Sequence, residues 1–156
     1  KSGRLPSSFN NSIMRMYARS FLYALDVFSQ MLSVLAQELL SLNIDINQFN
    51  NEMTLAFPDL RGVRNTSHHP EDRLRGLGAG RLPKPMILQP VQNEFFSLEK
   101  TVIMDSLINK KFGSTMACGN YGEVDVSIDS MTKLQTIFQN VLNALPWTGP
   151  HHHYPS

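Results

Sequence analysis

The chain has 156 residues, enough for one domain with a buried core. With 42% hydrophobic and only 17% charged residues it is not a disordered chain, and a formal net charge of +1 rules out bulk electrostatic attraction to a polyanion. Any nucleic-acid partner would therefore be held by a local basic cluster, and the single cysteine, Cys118, leaves no internal disulfide and fits a reducing compartment.

Residues 1–11 read as a flexible tail that contains Gly3 and Pro6 and leads to the cap candidates Asn11 and Ser12. From there to Leu42 the chain has neither Gly nor Pro. Met14, Phe21, Phe28, Leu35 and Leu42 recur every seven residues, with Leu25, Leu32 and Leu39 between them. That pattern predicts one amphipathic helix of roughly 45 Å, whose heptad stripe suits a long partner surface such as a second copy. Arg15, Arg19, Asp26, Gln30 and Glu38 interrupt it too often for a membrane span. No signal peptide is visible, so the expected location is the cytoplasm.

Asn43 to Asn51 should turn the chain into a short helical piece around Phe49 to Phe57. Pro58 and Asp59 then suit the start of a helix running to about Arg75, with Leu60, Val63 and Leu74 inward. Pro70 should kink or restart it immediately after His69. Residues 76–94, rich in Gly and Pro, read as an irregular connection. Phe95 to Asn109 fits either period poorly and is assigned here to a helix. Lys111 to Cys118 and Glu123 to Ile128 flank Gly119-Asn120-Tyr121-Gly122 as a hairpin, with Val124, Val126 and Ile128 on its inward side. Asp129 should cap a last helix bearing Met131, Leu134, Ile137, Phe138, Val141 and Leu142, and Trp147 should fold back onto its end. Residues 12–148 thus form one mainly α domain, a helical bundle with a long first helix and a small β-hairpin before the last helix. Residues 149–156 form a second flexible tail.

The chemistry-bearing residues gather in Arg61 to Arg73. Arg64 and His68, four apart, sit about 40° apart around a helix and share a face with Arg61. Arg64 and His69, five apart, would be about 140° apart unless the break at Pro70 reorients His69. An arginine can neutralise a phosphate and a histidine can exchange a proton near neutral pH. Other groups carry less. His151-His152-His153 cannot all point at one ion from a tail. Gly76-Leu77-Gly78-Ala79-Gly80 lacks the preceding strand and the Lys-Ser/Thr ending of a phosphate loop. Cys118 has no basic neighbour to activate it. Tyr17 and Tyr23 read as core or groove-lining residues.

The segment from Phe57 to Arg73, FPDLRGVRNTSHHPEDR, resembles the second core helix of the HEPN superfamily. Many of its members carry an arginine, a polar residue beside it, four to six intervening residues and a histidine. Arg64, Asn65 and His69 match with four intervening, and Glu71-Asp72-Arg73 is similar to the continuation in soluble bacterial members. The resemblance covers about residues 57–75. It implies a HEPN-like helical fold and a metal-independent endoribonuclease, with no cofactor, whose site forms where two protomers meet. Arg64, Asn65 and His69 would be catalytic, and Arg61, His68 and Arg73 would position substrate, with His68 competing with His69 for the proton-transfer role. The expected partners are RNA or a nucleotide, a second copy of the chain, and an inhibitory antitoxin protein if the setting is toxin or defence. A non-catalytic HEPN-like dimer that binds nucleotide, RNA or protein is the alternative.

Overall fold

The computed structural model describes residues 7–80, 84–92 and 94–146. Helix α1 (Ser7–Leu40) is followed by α2 (Asn47–Ala56), α3 (Leu60–His68) and α4 (Pro70–Leu74). Five short strands come next: β1 (Val91–Gln92), β2 (Ser97–Leu98), β3 (Ser106–Ile108), β4 (Lys111–Thr115) and β5 (Tyr121–Asp125). Helix α5 (Ile128–Ala144) closes the described chain. Strands β1 and β2 pair antiparallel, and β3-β4-β5 form a second antiparallel sheet in which Phe112 faces Val124 in register.

A helical bundle with one hairpin is therefore not what the chain forms; it mixes helices with two small antiparallel sheets. The error lies in Phe95 to Asn109, which is not helical. Lys100 and Asp105 sit at φ 50° and 48°, a left-handed conformation that ends any right-handed helix. The segment is held instead by β4. The Ile103 and Asp105 amides donate to Thr115 Oγ1 at 2.9 Å and Ser114 Oγ at 3.0 Å, and the Thr115 amide donates to the Ile103 carbonyl at 2.8 Å. Side chains nine and twelve residues downstream thus satisfy backbone groups that no local period could announce.

Helix α1, about 51 Å long at 1.5 Å per residue, is the frame on which α2, α3 and the β3–β4 hairpin pack. Its buried line is Ala18, Leu22, Leu25, Leu32 and Ala36, not the predicted seven-residue series. Phe21, Phe28 and Leu39 flank the core, whereas Met14, Leu35 and Leu42 are exposed. A strict heptad lags about 20° per repeat behind a straight helix, so the series drifts off the packed face. Phe49 and Met53 of α2, Leu60 and Val63 of α3, Phe112 and Val124 of the sheet, and Ile137 and Val141 of α5 complete the core.

Three further expectations change locally. The N-cap of α5 is Ser127, whose hydroxyl accepts the Ser130 amide, with Asp129 one step inside the helix. Ile128, placed on the strand's inward face by alternation, instead begins α5 and is exposed. Leu74 is exposed as well, at the end of α4, whose buried side chain is Arg73 instead. Asp59 precedes α3 without capping it; its carboxylate accepts the Glu123 amide of β5 at 3.1 Å and ties the start of α3 to the sheet. Gly62 lets α3 approach that sheet, since a Cβ there would collide with the Met116 sulfur. Trp147 and His151 to His153 lie outside the described residues.

Candidate functional site

Helix α3 carries the motif and is held between α1 and the three-stranded sheet. Against the sheet, Thr66 is fully buried and its hydroxyl donates to the Thr115 carbonyl at 2.8 Å. Against α1, α3 meets an edge of polar residues at 4-3-4 spacing: Arg19, Tyr23, Asp26 and Gln30. These spacings put all four on one side of a helix, next to the apolar line.

Arg64 reaches this edge. Its Nε lies 2.9 Å from Asp26 Oδ2, and the Asp26 side chain is only 7% exposed. The Nε–H is not aligned along that vector, so the contact is an ion pair rather than a directed hydrogen bond. Gln30 Nε2 donates to the same carboxylate oxygen at 2.5 Å, and Arg64 Nη1 donates to Asn65 Oδ1 at 3.2 Å. A nearly dry carboxylate needs such neutralisation. The guanidinium is thereby fixed in place while part of it still meets solvent.

Ser67, still buried, makes the last such contact before the exposed end of the helix. The Ser67 hydroxyl donates to Asp105 Oδ1 at 2.7 Å, and Arg19 forms an ion pair with the other oxygen of Asp105. His68 is exposed and leans on Tyr23, with ring centroids 4.6 Å apart and planes tilted by 54°. His69 ends the helix at φ −124°, ψ 56°, its amide still bonded to the Asn65 carbonyl, and Pro70 opens α4 in the position where its missing N–H costs nothing. The predicted break therefore falls where the sequence placed it. It leaves the two imidazoles side by side in solvent, centroids 6.2 Å apart.

The candidate residues separate into three groups. Arg64 and Asn65 touch, and His68 and His69 neighbour each other at the end of the same helix. Arg61 stands exposed on α3. Arg73 is not brought to them: it is buried in α4, and its guanidinium donates to the carbonyls of Leu77 and Gly78, clamping the glycine-rich loop. His69 Nδ1 also lies 3.5 Å from Glu71 Oε1. Among the described residues, His69, Glu71 and Asp72 each bring one possible metal-ligand atom within 4.8 Å of the others. Glu71 is exposed and Asp72 half-buried in the first turn of α4, where acidic side chains complement the helix end without any ion.

No family model, curated protein or solved structure matches the chain. Its site is read from its own residues. Sequence reasoning did not assign Asp26, Gln30, Ser67, Asp105 or Arg19 to it. Arg19, Asp26 and Gln30 were visible as polar interruptions of an apolar helix, and their 4-3-4 series with Tyr23 was the available signal. Asp105 gave none. No helix among the described residues is long and apolar enough to cross a membrane.

Proposed function

We propose that the chain is a metal-independent endoribonuclease whose site lies at the α3–α4 junction and is completed by a second copy. What supports the reading is a guanidinium fixed by a buried carboxylate, one turn before an exposed pair of imidazoles. An arginine held in this way needs no rearrangement to meet negative charge that develops on a phosphate. His69 faces solvent at a helix end, where an imidazole can serve as general base or acid.

In the proposed reaction His69 of one copy removes the proton from a ribose 2′-hydroxyl. The 2′-oxygen forms a bond to phosphorus, and the bond from phosphorus to the 5′-oxygen breaks. His69 of the second copy supplies the proton that the 5′-oxygen takes up. Arg64 stabilises the charge accumulating on the non-bridging oxygens, and Asn65 orients Arg64 or the phosphate. Arg61 and His68 hold the neighbouring backbone. The products are a 2′,3′-cyclic phosphate and a 5′-hydroxyl.

The test is digestion of single-stranded RNA in EDTA, with end-group analysis of the fragments and a matched substrate carrying 2′-deoxyribose at the cleaved position. Cleavage of the RNA alone, leaving cyclic phosphate, is the expected result. Cleavage of both substrates, or loss of activity in EDTA, contradicts the proposal.

A second reading has its own support. Arg64 is only 27% exposed and already paired with Asp26, and His69 faces Glu71, an arrangement that suits holding a ligand as well as turning it over. Binding of RNA without any cleavage would favour a non-catalytic dimeric module.

A further inference from the structure

A second concave surface lies between the N-terminal half of α1, the β3–β4 turn and the first turn of α5. It is a groove of about 590 Å³, within the size range of small-molecule sites. Its walls are apolar: Met14 and Phe21 of α1, Leu107 of β3, Val126 after β5, and Ile128 and Met131 of α5. Ile128 is 83% exposed, Met14 57% and Met131 50%. The first turn of α5 would fold equally well with a polar residue in place of Ile128. Three such side chains converging on one concavity form a patch of the kind that marks a binding surface, not scattered surface residues.

The charged side chains that line this groove have one sign. Arg15 and Lys110 line it, and no carboxylate does. Of the acidic residues nearest in sequence, Asp125 accepts the Ser127 hydroxyl at 2.7 Å and Asp129 is not part of the lining. Lys110 is also held in place. Asn109 and Lys110 form the two-residue β3–β4 turn at φ 46° and 63°, a left-handed pair in which glycine would be unstrained and lysine is not. The Lys110 carbonyl accepts the Val126 amide at 2.7 Å, which ties this strained turn to the groove wall.

A second copy is a poor occupant. Two-fold pairing of this face would place two copies each of Arg15 and Lys110 in one interface with no lining acid among them. The occupant must bring its own negative charge together with an apolar body. The geometry points to a binding site for an amphiphilic monoanion, a carboxylate on an unbranched alkyl chain. The chain lies along the methionines, Phe21 and Leu107, and the head group meets Arg15 and Lys110. This site is separate from the α3–α4 junction and does not depend on ribonuclease activity.

Isothermal titration of the full chain with dodecanoate, below its micelle concentration, tests the assignment. Dodecyltrimethylammonium serves as the probe of opposite charge. Saturable binding of one dodecanoate per chain and no binding of the cation are expected. The double variant Arg15→Gln/Lys110→Gln should weaken binding about tenfold or more, and Ile128→Asp should do the same. All three side chains are exposed, so thermal melts should match the parent. Absence of saturable heat, equal affinity for the cation, or unchanged affinity in both variants overturns the assignment. So does an acidic amphipathic peptide that binds this face and is not displaced by dodecanoate, which would make the occupant a protein.

Discussion

The second half of α3, residues 64–67, and the helix end at His68 and His69 differ sharply although they adjoin. The Thr66 hydroxyl, the Arg64–Asp26 pair and the Ser67–Asp105 contact are buried or half-buried, and each is bonded across to another element. His68 and His69 are exposed, and their contacts are a ring face and a solvated carboxylate. In the first region a polar side chain is part of what holds α1, α3 and the sheet together. In the second it contributes little to stability and is free for chemistry. Stability and activity should therefore separate along a single helix.

The strongest way to break that contrast is at Asp26. Asp26→Ala leaves Arg64 without its counter-charge in a mostly dry seam, and should destabilise the fold by about 3 kcal/mol in urea unfolding. Replacing both partners with apolar residues of similar size, Asp26→Leu with Arg64→Met, should recover most of the loss, because no unpaired charge remains. If Asp26→Ala melts like the parent, the seam is not what anchors α3. A smaller effect is expected at Thr66→Val, which keeps the shape but leaves the Thr115 carbonyl short of a donor, at about 1–2 kcal/mol. Tyr121→Phe removes the 2.6 Å bond to Ser106 and should cost about 1 kcal/mol or less. Burial raises the Tyr121 pKa above its ordinary value, so the parent should lose stability as pH rises beyond about 10, where the half-buried phenol resists ionisation that the unfolded chain allows. The smallest stability change belongs to His69→Ala, within about 0.5 kcal/mol of the parent as for other exposed positions.

The same contrast explains what could be read from the residues alone. The long α1, the break at Pro70 and the β4–β5 hairpin are local: an uninterrupted apolar period, a missing N–H and a glycine-rich turn announce them. The place of His69 at the end of α3 was legible for the same reason. Strand β3 and the path of residues 99–105 were not, because they exist through bonds from Ser114 and Thr115 that only the folded sheet supplies. The pairing of Arg64 with Asp26 was hidden as well. Both residues stood out, one as a motif and one as a charge in an apolar helix, but the register of α1 against α3 is a tertiary fact. The clamp made by Arg73 shows the converse: a basic residue in the right stretch of sequence can be buried and bound by its own loop.

The ribonuclease proposal is most directly tested by the cleavage rate of His69→Ala on single-stranded RNA in EDTA, measured beside its thermal melt. A rate reduced about a hundredfold or more with an unchanged melting temperature is expected if this imidazole moves the proton. A folded His69→Ala protein that still cuts RNA at the parent rate would contradict it.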